Sequence, residues 1–125
     1  MEKTRIIIKT LTPSLNKVLR MNRWKRMELK EEFAWEVYAG MHEQNPDYEV
    51  ITTPRKMKLN IISYRKSFLD RDNFIGGLKV LIDSIKELRL IYDDSPEYLG
   101  LEAEQKIEKK RKNQRTEIII TSALP

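Results

Sequence analysis

Three aspartates and one lysine near the middle of the sequence have the residue types needed for phosphodiester chemistry. Asp70 and Asp72 are two residues apart, and Asp94 follows a helical segment that carries Lys79. In an extended segment, residues i and i+2 project from the same face, so the first two carboxylates can face one site. Grouped carboxylates repel one another unless protons or a cation intervene, and Mg²⁺ or Mn²⁺ suits oxygen ligands. The pattern is therefore compatible with a metal site whose chemistry Lys79 assists by stabilising negative charge at a phosphate.

Each of these residues also has an ordinary structural interpretation. Asp72 directly precedes a helical pattern and can cap that helix, whereas Asp70 has the weaker structural explanation. Lys79 and Asp83 are four residues apart, the spacing of a surface ion pair on a helix. Asp94 lies in a segment that can simply be a turn. The spacing alone leaves both interpretations open.

The composition predicts a single small domain over residues 1–125. Hydrophobic residues make up 40% of the chain and charged residues 34%, a composition typical of soluble globular proteins. No apolar run approaches the roughly 20 residues of a membrane-spanning helix, so we expect no membrane partner. The absence of cysteine excludes disulfides and thiolate chemistry and suits a cytoplasmic location. The single histidine, His42, is interpreted as a surface residue near a helix end.

The net charge of +5 makes nucleic acid a plausible partner, although a solubility surface explains a charge of this size equally well. Basic residues fall into two groups, one around Trp24 and one that flanks the second predicted strand and leads into Asp70. The positions that we expect to contact DNA are Arg23, Arg26, Arg65, Lys66 and Arg71.

The hydrophobic periodicity predicts the order β-α-β-α-β-β, an α+β domain with helices packed on a mixed sheet. The predicted strands cover residues 4–10, 56–64, 98–108 and 116–121, and the predicted helices cover about 22–41 and 73–90. Trp24, Trp35 and Phe74 can be interface or core residues, and core is the expected position. We expect regular helix only after Gly76-Gly77. The basic segment 109–115 is predicted to be an exposed hairpin tip.

The order of the motif residues resembles the RusA family of Holliday junction resolvases. The matching pattern is D-x-D-N at residues 70–73, then Lys79, then Asp83, then a D-D-S turn at residues 93–95. Pro13-Ser14-Leu15-Asn16 after the first strand is similar to the family's P-S-x-N segment. One departure is visible, since many members have the lysine three residues after the motif asparagine. Here it stands six residues after Asn73, with Gly76-Gly77 in the additional stretch.

This resemblance implies a small α+β resolvase fold and a homodimer that cuts four-way DNA junctions in recombination and repair. It implies that Asp70, Asp72 and Asp94 bind Mg²⁺ (or Mn²⁺) and that Lys79 is the catalytic cation. It also implies a cytoplasmic, bacterial protein, of the kind that phages or prophages frequently carry. Two alternatives belong to other classes: a non-catalytic DNA-binding protein on the same scaffold, and a structural oligomerisation domain whose aspartates only cap and turn.

Overall fold

A computed structural model of the chain describes residues 3–122, and it is an α+β arrangement. The strands are β1 (Lys3–Ile8), β2 (Met57–Arg65), β3 (Leu99–Ile107) and β4 (Arg115–Ser122). The helices are α1 (Leu15–Arg20), α2 (Arg23–Gln44), α3 (Arg71–Gly77) and α4 (Lys79–Glu87), and a 3₁₀ turn spans Arg111–Asn113. The predicted strands and the first predicted helix match observed elements to within a few residues. Within residues 3–122, no helix has the length and apolar character to cross a membrane.

The four strands form one mixed sheet in the order β1-β4-β2-β3, which confirms the predicted sheet type. Strand β4 is antiparallel to both β1 and β2, whereas β2 and β3 are parallel, with Met57 opposite Leu99. Parallel strands need a long crossover, and α3 with α4 supplies it. The predicted hairpin at residues 109–115 is wrong, because β2 lies between β3 and β4 and the segment must cross the end of β2.

The core lies between the helices and one face of the sheet. Side chains alternate across each strand, so Ile6, Ile61 and Ile118 point towards the helices and are completely buried. Helix α2 contributes Phe33 and Val37 to the same core. Burial of each such side chain stabilises the fold by roughly 1.5–3 kcal/mol.

The opposite face of the sheet carries a buried carboxylate. Glu117 is 1% exposed and is held by Arg5 and Arg115. Burial by itself raises the pKa of Glu117, but the hydrogen bonds and charges of the two guanidinium groups outweigh it and leave the pKa lowered. The guanidinium of Arg115 also lies 3.8 Å from the ring centre of Tyr64. This cluster covers part of a sheet face that no helix protects.

Helix α2 has apolar side chains on two opposite sides, and both tryptophans lie on the side that faces away from the core. Phe33, at 0% exposed, faces the sheet, whereas Trp24 is 72% and Trp35 70% exposed. At about 100° per residue, Trp35 lies on the opposite side of the helix from Phe33 and its buried neighbours. The prediction of core positions is therefore wrong for both tryptophans and confirmed for Phe74, which is 1% exposed.

Candidate functional site

The D-x-D-N segment forms the N-terminus of α3. Asp70 is the capping residue, since its carboxylate accepts hydrogen bonds from the backbone N–H and the side-chain amide of Asn73, both at 3.1 Å. Asp72 lies in the first turn of α3, where the helix dipole stabilises its negative charge. The interpretation of Asp72 as the capping residue is wrong, because the helix begins at Arg71, two residues earlier than predicted, and Asp70, which had the weaker structural explanation, is the cap. Both side chains belong to exposed residues.

Asn73 joins this segment to the P-S-x-N segment. Its side-chain oxygen accepts a 3.0 Å hydrogen bond from the backbone N–H of Asn16, 57 residues earlier in the chain. Ser14 caps α1 by accepting a 3.1 Å hydrogen bond from the N–H of Lys17. The two motif segments are therefore in direct contact, and each begins with a helix cap.

The glycine pair fits α3 closely against the P-S-x-N segment. A Cβ atom on Gly77 would lie 1.8 Å from the carbonyl oxygen of Pro13, and one on Gly76 would lie 2.7 Å from a methyl carbon of Leu15. The glycines end α3 rather than precede the regular helix, so the predicted helix over residues 73–90 is two helices that meet at Leu78. The additional residues are helical, and they bring α1 onto α3.

The structure places Arg65 in the interior, which makes its prediction as a DNA contact wrong. The residue is 9% exposed, and its guanidinium donates to the carbonyl oxygen of Thr12 at 2.9 Å and to Ser63 at 3.2 Å. Burial lowers the pKa of Arg65. Its position on the inward-facing side of β2 explains the error, because Arg65 follows the alternation that buries Ile61. Arg65 holds the chain in place just ahead of Ser14.

Two other predicted DNA contacts remain at the surface near Asp70. Lys66 and Arg71 are exposed, and Lys109 donates a 3.4 Å hydrogen bond to the carbonyl oxygen of Lys66. The strand connection after β3 therefore adds a third cation close to the end of β2. These cations and the exposed carboxylates of α3 share one end of the sheet.

Lys79 lies in a groove between α1, α2 and the α3–α4 pair. The groove has a volume of about 580 Å³, and its rim includes the predicted DNA contacts Arg23 and Arg26 together with Lys30 and Lys79. Lys79 has a side chain 73% exposed and lies 3.5 Å from Asp83, so the surface ion pair forms as predicted. The groove lining holds four cations and the carboxylate of Asp83, and Lys30 is paired with Glu87. The groove also has an apolar lining that was not predicted, formed by Leu15, Val18, Leu19, Met27 and Val80.

The charges of α2 reinforce this basic surface. Its first turn contains no acidic residue and begins with Arg23, Lys25 and Arg26 behind the capping residue Asn22. Positive charges at a helix N-terminus oppose the helix dipole, at a cost of about 0.3–1 kcal/mol each. A bound anion would interact favourably both with the helix dipole and with these cations. This end of the groove is therefore a favourable place for phosphate.

Asp93 and Asp94 contact the end of α4. The ammonium of Lys86 lies 2.9 Å from a carboxylate oxygen of Asp93 and 3.5 Å from one of Asp94. Hydrogen bonds from Lys86 and then Ser95 lower the pKa of Asp93 to about 2. The sequence reasoning missed Lys86, although its position seven residues before Asp93 in the last turn of a helix is a usable signal. Asp94 therefore has Lys86 as a partner in the structure.

The structure does not bring Asp94 to Asp70 and Asp72 within one chain. Asp70 follows the C-terminal end of β2, whereas Asp94 precedes β3, whose first residue pairs with the N-terminal end of β2. Strand β2 has nine residues and is about 26 Å long, so the segments that carry these aspartates connect to opposite ends of the parallel pair. Ligands of one Mg²⁺ lie about 2.1 Å from the ion. Within residues 3–122, no three His, Cys, Asp or Glu side chains group closely enough to hold a metal ion. Within the described residues, Asp70, Asp72 and Asp94 of one chain therefore do not form one carboxylate group.

A scan of the sequence against protein-family models gives no match, and a search of curated proteins gives none either. The resemblance to the RusA family therefore depends on the motif residues and on where the fold places them.

Proposed function

We propose that this protein is a Mg²⁺- or Mn²⁺-dependent endonuclease that cuts four-way DNA junctions as a homodimer, as its resemblance to the RusA family implies. The observation that carries the proposal is the hydrogen bond between Asn16 and Asn73. Two short motifs can match a family by chance. A chance match gives no reason for the side chain of Asn73 to bond to the backbone of the other segment, far away in the chain.

The basic groove supports DNA as the partner. Arg23 and Arg26 lie on the same rim as Lys79, although they are more than 50 residues apart in the sequence. A row of cations that neutralises several phosphates binds polyanions strongly and with a steep dependence on salt. Selectivity for a branched junction would then come from the shape of the DNA and from phosphate contacts.

The positions of the carboxylates favour an active site that two copies share. Asp70 and Asp72 lie at one end of β2 and Asp94 at the other, so a single chain separates them. In a two-fold symmetric dimer, Asp70 and Asp72 of one copy can meet the partner's Asp94, and the symmetry then creates two equivalent sites. Such a dimer would have one site for each of the two strands that must be cut.

The test is nicking of a synthetic four-way junction in Mg²⁺ or Mn²⁺. We expect wild type to cleave and Asp72→Asn to lose cleavage while it still binds the junction. Asp47→Asn is the matched control, because Asp47 is an exposed aspartate outside the motif residues, and it should cleave like wild type. Failure of wild type to cleave, or equal cleavage by wild type and Asp72→Asn, would contradict the proposal.

A second candidate is a DNA-binding protein without catalytic activity. The contact of Lys86 with Asp93 and Asp94 favours it, because an ammonium already neutralises those carboxylates. This candidate predicts junction binding that does not depend on Mg²⁺ and that Asp72→Asn leaves unchanged, with no cleavage by any variant. A purely structural domain would instead show no junction affinity at low salt. For either DNA-related function we also propose a cytoplasmic location in a bacterial cell, with a phage or prophage as one source.

A further inference from the structure

The segment between β3 and β4 contains the longest run of consecutive cations in the sequence. The run consists of Lys109, Lys110, Arg111 and Lys112. All four residues are exposed, and among residues 3–122 none of them forms an ion pair. The one carboxylate of the segment, that of Glu108, accepts a 3.1 Å hydrogen bond from the backbone N–H of Lys110. In the described part of the chain, the four cations therefore have no counter-charge.

The backbone of this segment is fixed by its own hydrogen bonds. In the 3₁₀ turn Arg111–Asn113, the N–H of Asn113 donates to the carbonyl oxygen of Lys110 at 2.9 Å. The side-chain amide of Gln114 donates to the carbonyl oxygen of Glu108 at 3.1 Å, which holds the two ends of the segment together. A ligand that binds here therefore has to order side chains but no backbone, which lowers the entropic cost of binding.

The segment lies against the end of β2 that leads to Asp70. The N–H of Glu108 donates to the carbonyl oxygen of Arg65 at 2.8 Å, and the ammonium of Lys109 donates to the carbonyl oxygen of Lys66 at 3.4 Å. The side chain of Lys66 belongs to an exposed residue and adds a fifth cation. We call these five residues the crossover patch: Lys66, Lys109, Lys110, Arg111 and Lys112. The patch shares no residue with the lining of the basic groove.

The composition of the segment favours a chain of phosphates as the partner. Residues 108–115 contain no apolar and no aromatic side chain. Surfaces that bind other proteins are enriched in aromatic side chains and depleted of lysine, and helices that lie on membranes need an apolar face. Contacts to DNA phosphates need only cations and polar groups, and interfaces with DNA are strongly positive. The patch therefore fits the backbone of a DNA duplex better than it fits a peptide or a lipid surface.

We propose that the crossover patch binds the phosphate backbone of a DNA duplex arm beside the D-x-D-N segment. The side chain of Gln105 in β3 accepts a 2.9 Å hydrogen bond from the N–H of Leu69 and donates a 3.0 Å bond to its carbonyl oxygen. Leu69 directly precedes Asp70, so β3 fixes the short segment that joins Lys66 to the carboxylates of α3. An arm held by the patch therefore lies next to those carboxylates. The inference rests on the proposed function only in naming DNA as the polyanion.

The experiment measures, by fluorescence anisotropy of the full chain, the binding of a labelled duplex and of a labelled four-way junction. Both are measured in EDTA, so that no strand is cut. The variant Lys110→Gln/Arg111→Gln/Lys112→Gln removes three exposed cations of the patch. We expect it to weaken binding by at least about 10-fold at about 0.1 M salt. The slope of log Kd against log salt concentration should fall by roughly 2–3, since each lost phosphate contact removes about 0.9.

The matched control is Lys3→Gln/Lys56→Gln/Lys58→Gln, which removes the same net charge. These exposed lysines lie at the opposite end of the sheet, where Lys3 and Lys58 both lie opposite Thr121 of β4. The control should change Kd by less than about 3-fold, because surface charges more than about 10 Å away are screened at this salt concentration. An equal loss of binding in both triple variants would overturn the inference, because net charge alone would then explain it.

Further outcomes separate the inference from the proposed function. Circular dichroism checks that each variant is folded, and Lys112→Gln alone, with an expected slope change of about 0.9, replaces a triple variant that is not. If wild type nicks the junction and the patch variant binds DNA like wild type, only the inference is overturned. If wild type binds DNA through the patch but nicks no junction in Mg²⁺ or Mn²⁺, only the proposed nuclease is overturned. Binding to phosphatidylserine vesicles without binding to the duplex at low salt would overturn both.

Discussion

If two copies share each active site, two inactive variants should restore activity when they are mixed. The experiment uses an equal mixture of the Asp72→Asn and Asp94→Asn variants. The two are unfolded and refolded together so that dimers with one copy of each variant form. Each variant alone carries one lesion in both sites of its dimer. In a mixed dimer, one site receives both lesions and the other receives none, because Asp72 and the partner's Asp94 belong to the same site.

The size of the effect follows from the geometry. Random pairing makes about half of the dimers mixed, and each of these has one intact site of two. About a quarter of the wild-type number of sites should therefore be restored. The assay is the initial rate of single-strand nicking of a labelled four-way junction, which should reach roughly a quarter of the wild-type rate. Paired cleavage of both strands needs two intact sites in one dimer and should stay absent.

The same experiment can refute the reasoning. If Asp70, Asp72 and Asp94 acted within one chain, each site of a mixed dimer would keep one lesion, and the mixture would be as inactive as its components. That result, with wild type active, would mean that the connections at residues 66–70 and 94–98 bring the carboxylates of one chain together. A mixture of Asp72→Asn with Asp70→Asn is the control, because both lesions fall on the same side of the site and no intact site can form.

Three further outcomes are expected. Gly77→Ala should lower the free energy of unfolding by about 1–3 kcal/mol, because its Cβ has no room, whereas Gly100→Ala, with its nearest neighbour 3.8 Å away, should lower the melting temperature far less. Arg26→Gln should weaken junction binding and reduce the slope of log Kd against log salt concentration by about 0.9, as measured by fluorescence anisotropy. Because the pKa of Asp93 is lowered to about 2, its ion pair should stabilise the fold above pH 3.8 and lose that effect as the pH falls through 2. Lys86→Met should raise that pKa towards 3.8 in an NMR titration, and an unchanged pKa would contradict this assignment.

The sequence predicted the larger elements because their patterns are long. Strand β2 was expected at residues 56–64 and runs from Met57 to Arg65, since alternation over nine residues is a strong signal. Helix α1 has only six residues, none of them buried, and Leu15 lies against Gly76 of α3. A helix this short forms only with tertiary support, so its own sequence contains little that predicts it.

The residues of the candidate site could be predicted from the sequence, but their positions relative to one another could not. The motif residues were found because their spacing is local, and Lys79 paired with Asp83 as helical spacing requires. The distance between Asp70 and Asp94 depends on the parallel pairing of β2 with β3, which no local pattern specifies. The burial of Arg65 depends likewise on a carbonyl of Thr12, far away in the sequence. Long-range pairing, rather than local preference, decides which of these side chains meet.

The position of β4 has a consequence for how the chain folds during synthesis. Strand β4 is the last of the four strands to be made, yet it lies between β1 and β2. Until residues 115–122 leave the ribosome, β1 and β2 have no antiparallel partner, and their isoleucines can be covered only by the helices. The nascent chain therefore exposes two unpaired strand edges for most of its synthesis, a state prone to aggregation. Truncation before β4 should leave a chain that depends on chaperones, whatever the function of the completed protein.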